Sequence, residues 1–173
     1  MILRYTKLIG LPIFDLRDQS RLGKVADILV DPSGQKIIGF ILLNSIFSFG
    51  APRVVLAVDV IEVLKEAVIV KDEDAVIQLE EAQTAKDLFK KRYYGLNQKA
   101  FFESGAYIGK VYDYLIDSKT LALSKFYIQS LLKETVIPSK DVIDFDGRKI
   151  IVKGKSPILA IEQAAESISA EAI

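Results

Sequence analysis

Leu22-Gly23-Lys24-Val25-Ala26-Asp27-Ile28-Leu29-Val30-Asp31 returns 86 residues later as Ile108-Gly109-Lys110-Val111-Tyr112-Asp113-Tyr114-Leu115-Ile116-Asp117. Gly, Lys, Val, the first Asp, Leu and the last Asp are identical, and Phe40 and Phe126 keep the same offset. Further on, Val54, Asp59-Val60-Ile61 and Ile69-Val70-Lys71 match Val136, Asp141-Val142-Ile143 and Ile151-Val152-Lys153 at an offset of 82. Two collinear blocks separated by one four-residue length change mark an internal duplication. The period is too long for a solenoid repeat and is the size of a small domain.

Working outward from the repeat, Lys24–Asp31, Lys36–Asn44, Arg53–Ala57 and Val68–Val70 read as strands rich in Val and Ile. Pro12-Ile13-Phe14 is a short apolar segment, and Asp18-Gln19-Ser20 is a polar turn. Asp31-Pro32-Ser33-Gly34 places Pro and Gly where a type I turn takes them, so the first two strands form a hairpin. In the second copy Asp146-Gly147 is a hairpin turn between Val142–Phe145 and Lys149–Val152. Gly23 and Gly109, each at the head of the longest strand, predict a positive φ or a bulge that curves it. Asp59 and Asp141 predict a local turn bond made by the carboxylate. Strands this short and evenly spaced suggest a small barrel or sandwich.

The stretch between the copies changes character. Asp72, Glu73 and Asp74 come first and Lys90, Lys91 and Arg92 last, an order that complements a helix dipole. After Ser156, which can cap a helix with Pro157 at its first position, Ile158, Ile161, Ala165, Ile168 and Ala172 form one apolar stripe. The expected organisation is a first copy over 1–74, a partly helical linker over 75–94, a second copy over 95–155 and a C-terminal amphipathic helix over 156–173. No apolar run approaches the roughly 20 residues of a membrane helix, and the first ten residues lack the apolar core of a signal peptide. The expectation is a cytoplasmic chain.

Composition removes most chemistry. Among 173 residues, 23 Lys+Arg balance 23 Asp+Glu, and there is no Cys, His or Trp. Thiol redox chemistry, Ser-His-Asp and Cys-His catalysis, and zinc sites of thiolate or imidazole need residues this chain lacks. Charge balance argues against an ordinary basic polyanion binder. Asp27 and Asp113 sit inside predicted strands two residues after Val25 and Val111, so alternation puts each on the same face as its Val. A part-buried carboxylate there is a site candidate. It is more simply a partner of a cross-strand Lys or Arg, or exposed by a strand bend. Asp72-Glu73-Asp74 lacks the spaced ligands and central Gly of a calcium loop, and Lys90–Tyr94 is a short basic-aromatic cluster that a helix C-terminus explains.

The repeated unit resembles the PRC-barrel domain. The resemblance rests on Leu8-Ile9-Gly10-Leu11-Pro12-Ile13, the Leu22-Gly23-Lys24-Val25 strand start, the Asp31-Pro32-Ser33-Gly34 hairpin and Val58-Asp59-Val60-Ile61. In the second copy it rests on Ile108-Gly109-Lys110-Val111 and Lys140-Asp141-Val142-Ile143. There Asn97-Gln98-Lys99-Ala100 replaces the Gly-Leu-Pro-Ile run, and Asp117-Ser118-Lys119-Thr120 lacks the Pro and Gly of its counterpart. That family is named for the cytoplasmic part of the photosynthetic reaction centre H subunit and includes the C-terminal domain of a bacterial ribosome-maturation factor.

The resemblance implies a mainly β fold of two small barrels serving as a non-enzymatic interaction or assembly module. No catalytic residue, cofactor or metal is expected. A protein partner is expected, in a photosynthetic or other membrane-associated complex, with membrane contact only through that partner, no DNA and no favoured RNA contact. A homo-oligomer stays open. The alternatives are a ribosome or RNA-processing accessory protein and a binder of small ligands in a cleft between the barrels. The candidate partner surface is the apolar loop carrying Ile46, Phe47, Phe49 and Pro52 at the four-residue length change, with Leu131 and Leu132 as its second-copy counterpart.

Overall fold

A computed structural model describes residues 1–33, 35–42, 52–131 and 133–154. The chain is mainly β and forms two seven-stranded sheets. The first half contributes β1 (Ile2–Arg4), α1 (Tyr5–Leu8), β2 (Pro12–Asp15), β3 (Arg21–Asp31), β4 (Lys36–Leu42), β5 (Arg53–Leu56), β6 (Val60–Val63) and β7 (Val68–Val70). Next come β8 (Val76–Gln78) and α2 (Gln83–Lys90). The second half is β9 (Lys99–Phe102), β10 (Tyr107–Asp117), β11 (Leu123–Gln129), β12 (Glu134–Pro138), β13 (Val142–Phe145) and β14 (Lys149–Val152).

The first sheet runs β6-β7-β2-β3-β4-β5-β8, and the second runs β13-β14-β9-β10-β11-β12 with β1 attached to β10. The shared part of the order is the same in both. In each sheet a single parallel pairing, β2 with β7 and β9 with β14, joins otherwise antiparallel strands. The irregularities repeat as well. Leu22, Ala26, Ile38 and Ile61 are extra residues in the first sheet's ladders. Ile108, Tyr112, Ser124 and Ile143 are extra at the corresponding places in the second. Bulges bend a strand and tighten its twist, so the duplicated sequence carries its curvature with it. Both hairpin turns keep their form through the repeated Asp. Asp31 Oδ1 accepts the Ser33 N–H at 3.0 Å. Asp117 Oδ1 accepts the Lys119 and Thr120 N–H groups, both at 2.9 Å, with no Pro or Gly needed.

The halves interlock. β1 leaves the first half and pairs with β10, setting Leu3 opposite Ile116. Tyr94, in the segment entering the second half, bridges Leu29 of β3. Lys36 pairs with Ala122, its own counterpart in the repeat, through Ile37 N–H to Leu121 O and Leu123 N–H to Gln35 O, both 2.8 Å. One hydrophobic core therefore runs through both halves, from Ile13, Val25, Ile28 and Phe40 to Val111, Tyr114, Phe126 and Ile150. A second, smaller cluster of Leu29, Ile41, Val54, Leu79 and Ala85 lies under α2 on the other face of the first sheet.

Several local expectations need correcting. The acids Glu73 and Asp74 open a 3₁₀ turn over Glu73–Ala75, and α2 begins only at Gln83 with no acid in its first turn. Asp59 and Asp141 end 3₁₀ turns, and the bonds that tie these turns down run through their main-chain carbonyls, to Lys71 N–H at 3.2 Å and Lys153 N–H at 2.8 Å. Gly34 and the expected helix over 156–173 lie outside the described residues.

The weak opening of the second copy has a backbone explanation. Gly10 and Asn97 both hold positive φ, 84° and 75°. Their N–H groups bond Val25 O and Val111 O at 2.8 and 2.9 Å. Asn is among the side-chain-bearing residues that best tolerate this region. Gly109 is constrained differently: a Cβ there would lie 2.4 Å from the Gln129 carbonyl oxygen, whereas at Gly23 it would meet the movable Cδ2 of Leu42 at 2.9 Å. Gly109→Ala is therefore expected to lose about 3 kcal/mol or fail to fold, and Gly23→Ala about 1 kcal/mol, in urea unfolding.

Candidate functional site

The two aspartates of the repeat are where polar side chains gather inside the molecule. Alternation along β3 would put Asp27 beside Val25 in the core, but the bulge at Ala26 shifts the count. Val25 and Ile28 become the core neighbours, and Asp27 is left part-exposed. Its Oδ1 accepts the Tyr5 hydroxyl at 2.8 Å, the Ile28 N–H at 2.7 Å and the Gly95 N–H at 2.9 Å. Asp113 is fully buried. It accepts the Thr6 N–H at 3.2 Å, the Thr6 hydroxyl at 2.9 Å and the Tyr114 N–H at 2.9 Å, and meets the Arg4 guanidinium at 3.5 Å. Arg4 lies on the neighbouring strand β1, so a cross-strand Arg does meet Asp113.

Each aspartate is thus held by the lead-in segment of the opposite half. Thr6 precedes the first half's β2 and bonds the second half's Asp113; Gly95 precedes β9 and bonds the first half's Asp27. Tyr114 joins the two groups. Its hydroxyl donates to Gln98 Oε1 at 2.7 Å and lies 3.1 Å from Gly95 O, and its ring stands edge-on to Tyr5 at 5.7 Å. Burial, and next the Asp27 charge, pushes both phenols far above their ordinary pKa. Burial also raises the Asp27 carboxyl, partly offset by its three donors. The donors and acceptors match one another inside the cluster, which suits cohesion between halves.

The residues singled out as a partner surface fall in two groups. Ile46, Phe47, Phe49 and Leu132 lie outside the described residues. Pro52 is half-buried where the chain enters β5, and its carbonyl accepts the Leu79 N–H at 2.9 Å. Leu131 is fully exposed at the tip of the turn joining β11 and β12. The basic-aromatic cluster is used by the fold: Tyr93 packs edge-on against Phe145, and Tyr94 stacks on Phe89 at 4.7 Å. Asp72 pairs with Arg17 at 3.2 Å.

Among the described residues there is an apolar surface that the sequence did not announce. A groove of about 620 Å³ runs between Ala57–Leu64 of the first half and Ser118–Leu121 of the second, with Met1 at its side. Val58 is 87% exposed there and Ile61 56%. Beyond Ile61, a hollow of about 430 Å³ continues past Phe14 and Leu16, itself 55% exposed. Among the described residues β6 is the edge strand of its sheet, so exposed side chains and a strand edge coincide. The duplication builds a counterpart of about 400 Å³ between Pro32, Ser33 and Gln35 on one side and Val142–Phe145 on the other. Ile143 repeats Ile61 and is 51% exposed, but Lys140 stands where the first half has Val58. The available signal was an apolar residue, Ile61 or Ile143, kept at the bulge position in both copies.

Residues 1–77 match the family model of the PRC-barrel domain, and a PRC-barrel domain is found there. The match takes in β1 to β7 and the start of β8. No curated protein matches the chain. Among the described residues no helix is long and apolar enough to cross a membrane.

Because all three bonds to Asp27 end on Oδ1, Asp27→Asn keeps the acceptor and removes a poorly hydrated charge. It is expected to unfold in urea within about 1 kcal/mol of wild type at pH 7, whereas Asp27→Ala orphans the donors and loses about 2 to 3 kcal/mol. The folded chain holds the Asp27 proton more tightly than the unfolded chain, where the carboxyl titrates near about 3.9. Lowering the pH from above the raised folded value to below the unfolded one therefore stabilises wild type relative to Asp27→Asn, and raising it through that window removes the gain.

Proposed function

We propose that this chain is a non-enzymatic interaction module built from tandem PRC-barrel repeats, and that it docks a protein partner on the apolar surface around Val58 and Ile61. The observation that carries the reading is the coincidence of Val58, 87% exposed, with the edge of β6, unpaired among the described residues, and a groove of about 620 Å³. Large exposed aliphatic groups beside an unpaired strand edge favour a partner that brings its own strand or apolar ridge. The PRC-barrel domain over residues 1–77 supports an assembly role. The matching strand order and bulges of the second sheet support the tandem arrangement. The resemblance points further, to a photosynthetic or other membrane-associated complex met on its cytoplasmic face, with the partner supplying the membrane contact.

The loop with Ile46, Phe47, Phe49 and Pro52, and the turn with Leu131 and Leu132, form a second proposed contact at the equivalent connection in each copy. The ribosome-accessory reading would use Lys90–Arg92, and the ligand-binding reading would use the same inter-half groove.

Val58→Asp combined with Ile61→Asp is expected to abolish recovery of the partner from native lysate. Both side chains face solvent, so unfolding should move by no more than about 0.5 kcal/mol. Phe47→Ser with Phe49→Ser tests the second contact in the same assay. Ribosomal proteins recovered equally by wild type and both variants would overturn the proposal in favour of the ribosomal reading. A bound small molecule seen by native mass spectrometry and lost on Val58→Asp would favour the ligand reading.

A further inference from the structure

The hollow beyond Ile61 has a chemistry of its own. Phe14, Leu16, Ile61 and Ile69 give it apolar walls, two carboxylates, Asp15 and Glu62, also line it, and no Lys or Arg does. Asp15 shares a face of β2 with Ile13, the core face, and is only 5% exposed. Its Oδ1 accepts the Arg17 N–H at 2.5 Å in the turn that follows β2. Among the described residues its Oδ2 has no donor, and neither Asp15 nor Glu62 has an ion-pair partner. Arg17, the nearest base in sequence, pairs instead with Asp72 at 3.2 Å.

The duplication shows that the fold does not require this acid. Asp15 stands opposite Val70 in the parallel ladder of β2 and β7, and Phe102 holds the same register opposite Val152 in the ladder of β9 and β14. Phe102 packs against the core there. At the position of Glu62 the second half keeps an acid, Asp144. A buried carboxylate with a spare oxygen is costly at a place that its repeat fills with a hydrocarbon ring. A cation brought from outside would offset that cost.

We infer that this hollow receives a basic side chain, a Lys or Arg whose aliphatic stem lies along the apolar walls and whose charged head meets Asp15 Oδ2 and Glu62. Such side chains bury their stems on apolar surface while the charge stays at a polar end. Hydrogen bonds from a charged donor to a carboxylate are the strong ones. The source of the side chain rests on the docking reading: the partner seated on Val58 and Ile61 supplies it, beside the apolar group that enters the larger groove. The docking segment of that partner is therefore basic as well as apolar.

n-Pentylammonium probes the hollow alone, with pentan-1-ol and pentanoate as neutral and anionic copies of its stem. It is titrated into the full chain while labelled Ile and Leu methyl groups are followed by NMR. Saturable shifts are expected at Ile61, Ile69 and Leu16, with the ammonium bound at least about fivefold more tightly than the alcohol and pentanoate weakest. Asp15→Asn keeps the Oδ1 acceptor for the turn and should bring the ammonium down to the affinity of the alcohol. Glu62→Gln, at an exposed position, should weaken the ammonium by a smaller factor with the fold intact. Equal affinity for the ammonium and the alcohol overturns the inference, as does an ammonium affinity that both variants leave unchanged. Val58→Asp leaves both acids in place, so the docking reading can fail in partner recovery while the ammonium still binds, and the reverse.

Discussion

A carboxylate taken out of water has to find donors, and in this molecule buried Asp113 finds most of its donors on the other half while part-buried Asp27 finds one there. Asp113 takes Thr6 and Arg4 from the entrance to the first half, and Asp27 takes Gly95 from the entrance to the second. Desolvating a charge without partners costs several kcal/mol, so the Asp113 site above all depends on both halves being in place. The pairing of β1 with β10, the bridge at Tyr94 and the seating of Tyr114 against Gln98 all lie beside these two contacts. The two halves share one core because the polar requirements of each are met across the boundary between them.

That exchange also shapes the outer surface. Bringing the Ser118–Leu121 turn of one half against Ala57–Leu64 of the other creates the groove that exposes Val58 and Ile61, and the symmetric contact creates its smaller counterpart. Substitution has since separated the two. With Val58 in one and Lys140 in the other, the first groove is the more apolar. A duplicated fold of this kind can keep its scaffold contacts alike while its two grooves diverge.

Much of this was legible in the sequence because it is local or repeated. The bulges beside Gly23 and Gly109, the Asp31 and Asp117 hairpins and the Val142–Phe145 and Lys149–Val152 ladder follow from residue types a few positions apart. The exchange of β1 was not legible. Its three residues have no period of their own, and their partner lies more than a hundred positions away. The face of Asp27 could not be settled by counting from Val25, because the bulge at Ala26 resets the two-residue alternation, whereas its repeat Asp113 stays buried beside the equivalent bulge at Tyr112. The linker helix was placed too early because the acids of Glu73–Ala75 serve a separate 3₁₀ turn.

The placement of β1 has a further consequence, for how the chain is made. Arg4 and Asp113 stand 109 positions apart, so β1 has no partner until the hundred or so residues after it have been made. Contacts this distant in sequence close late and slowly. During that interval Leu3, Tyr5 and Leu8 have no finished core to enter, and the same segment of a neighbouring nascent chain offers an equivalent fit. While the second half is being made, β1 and the apolar side chains behind it are therefore the part of the fold most open to mispairing.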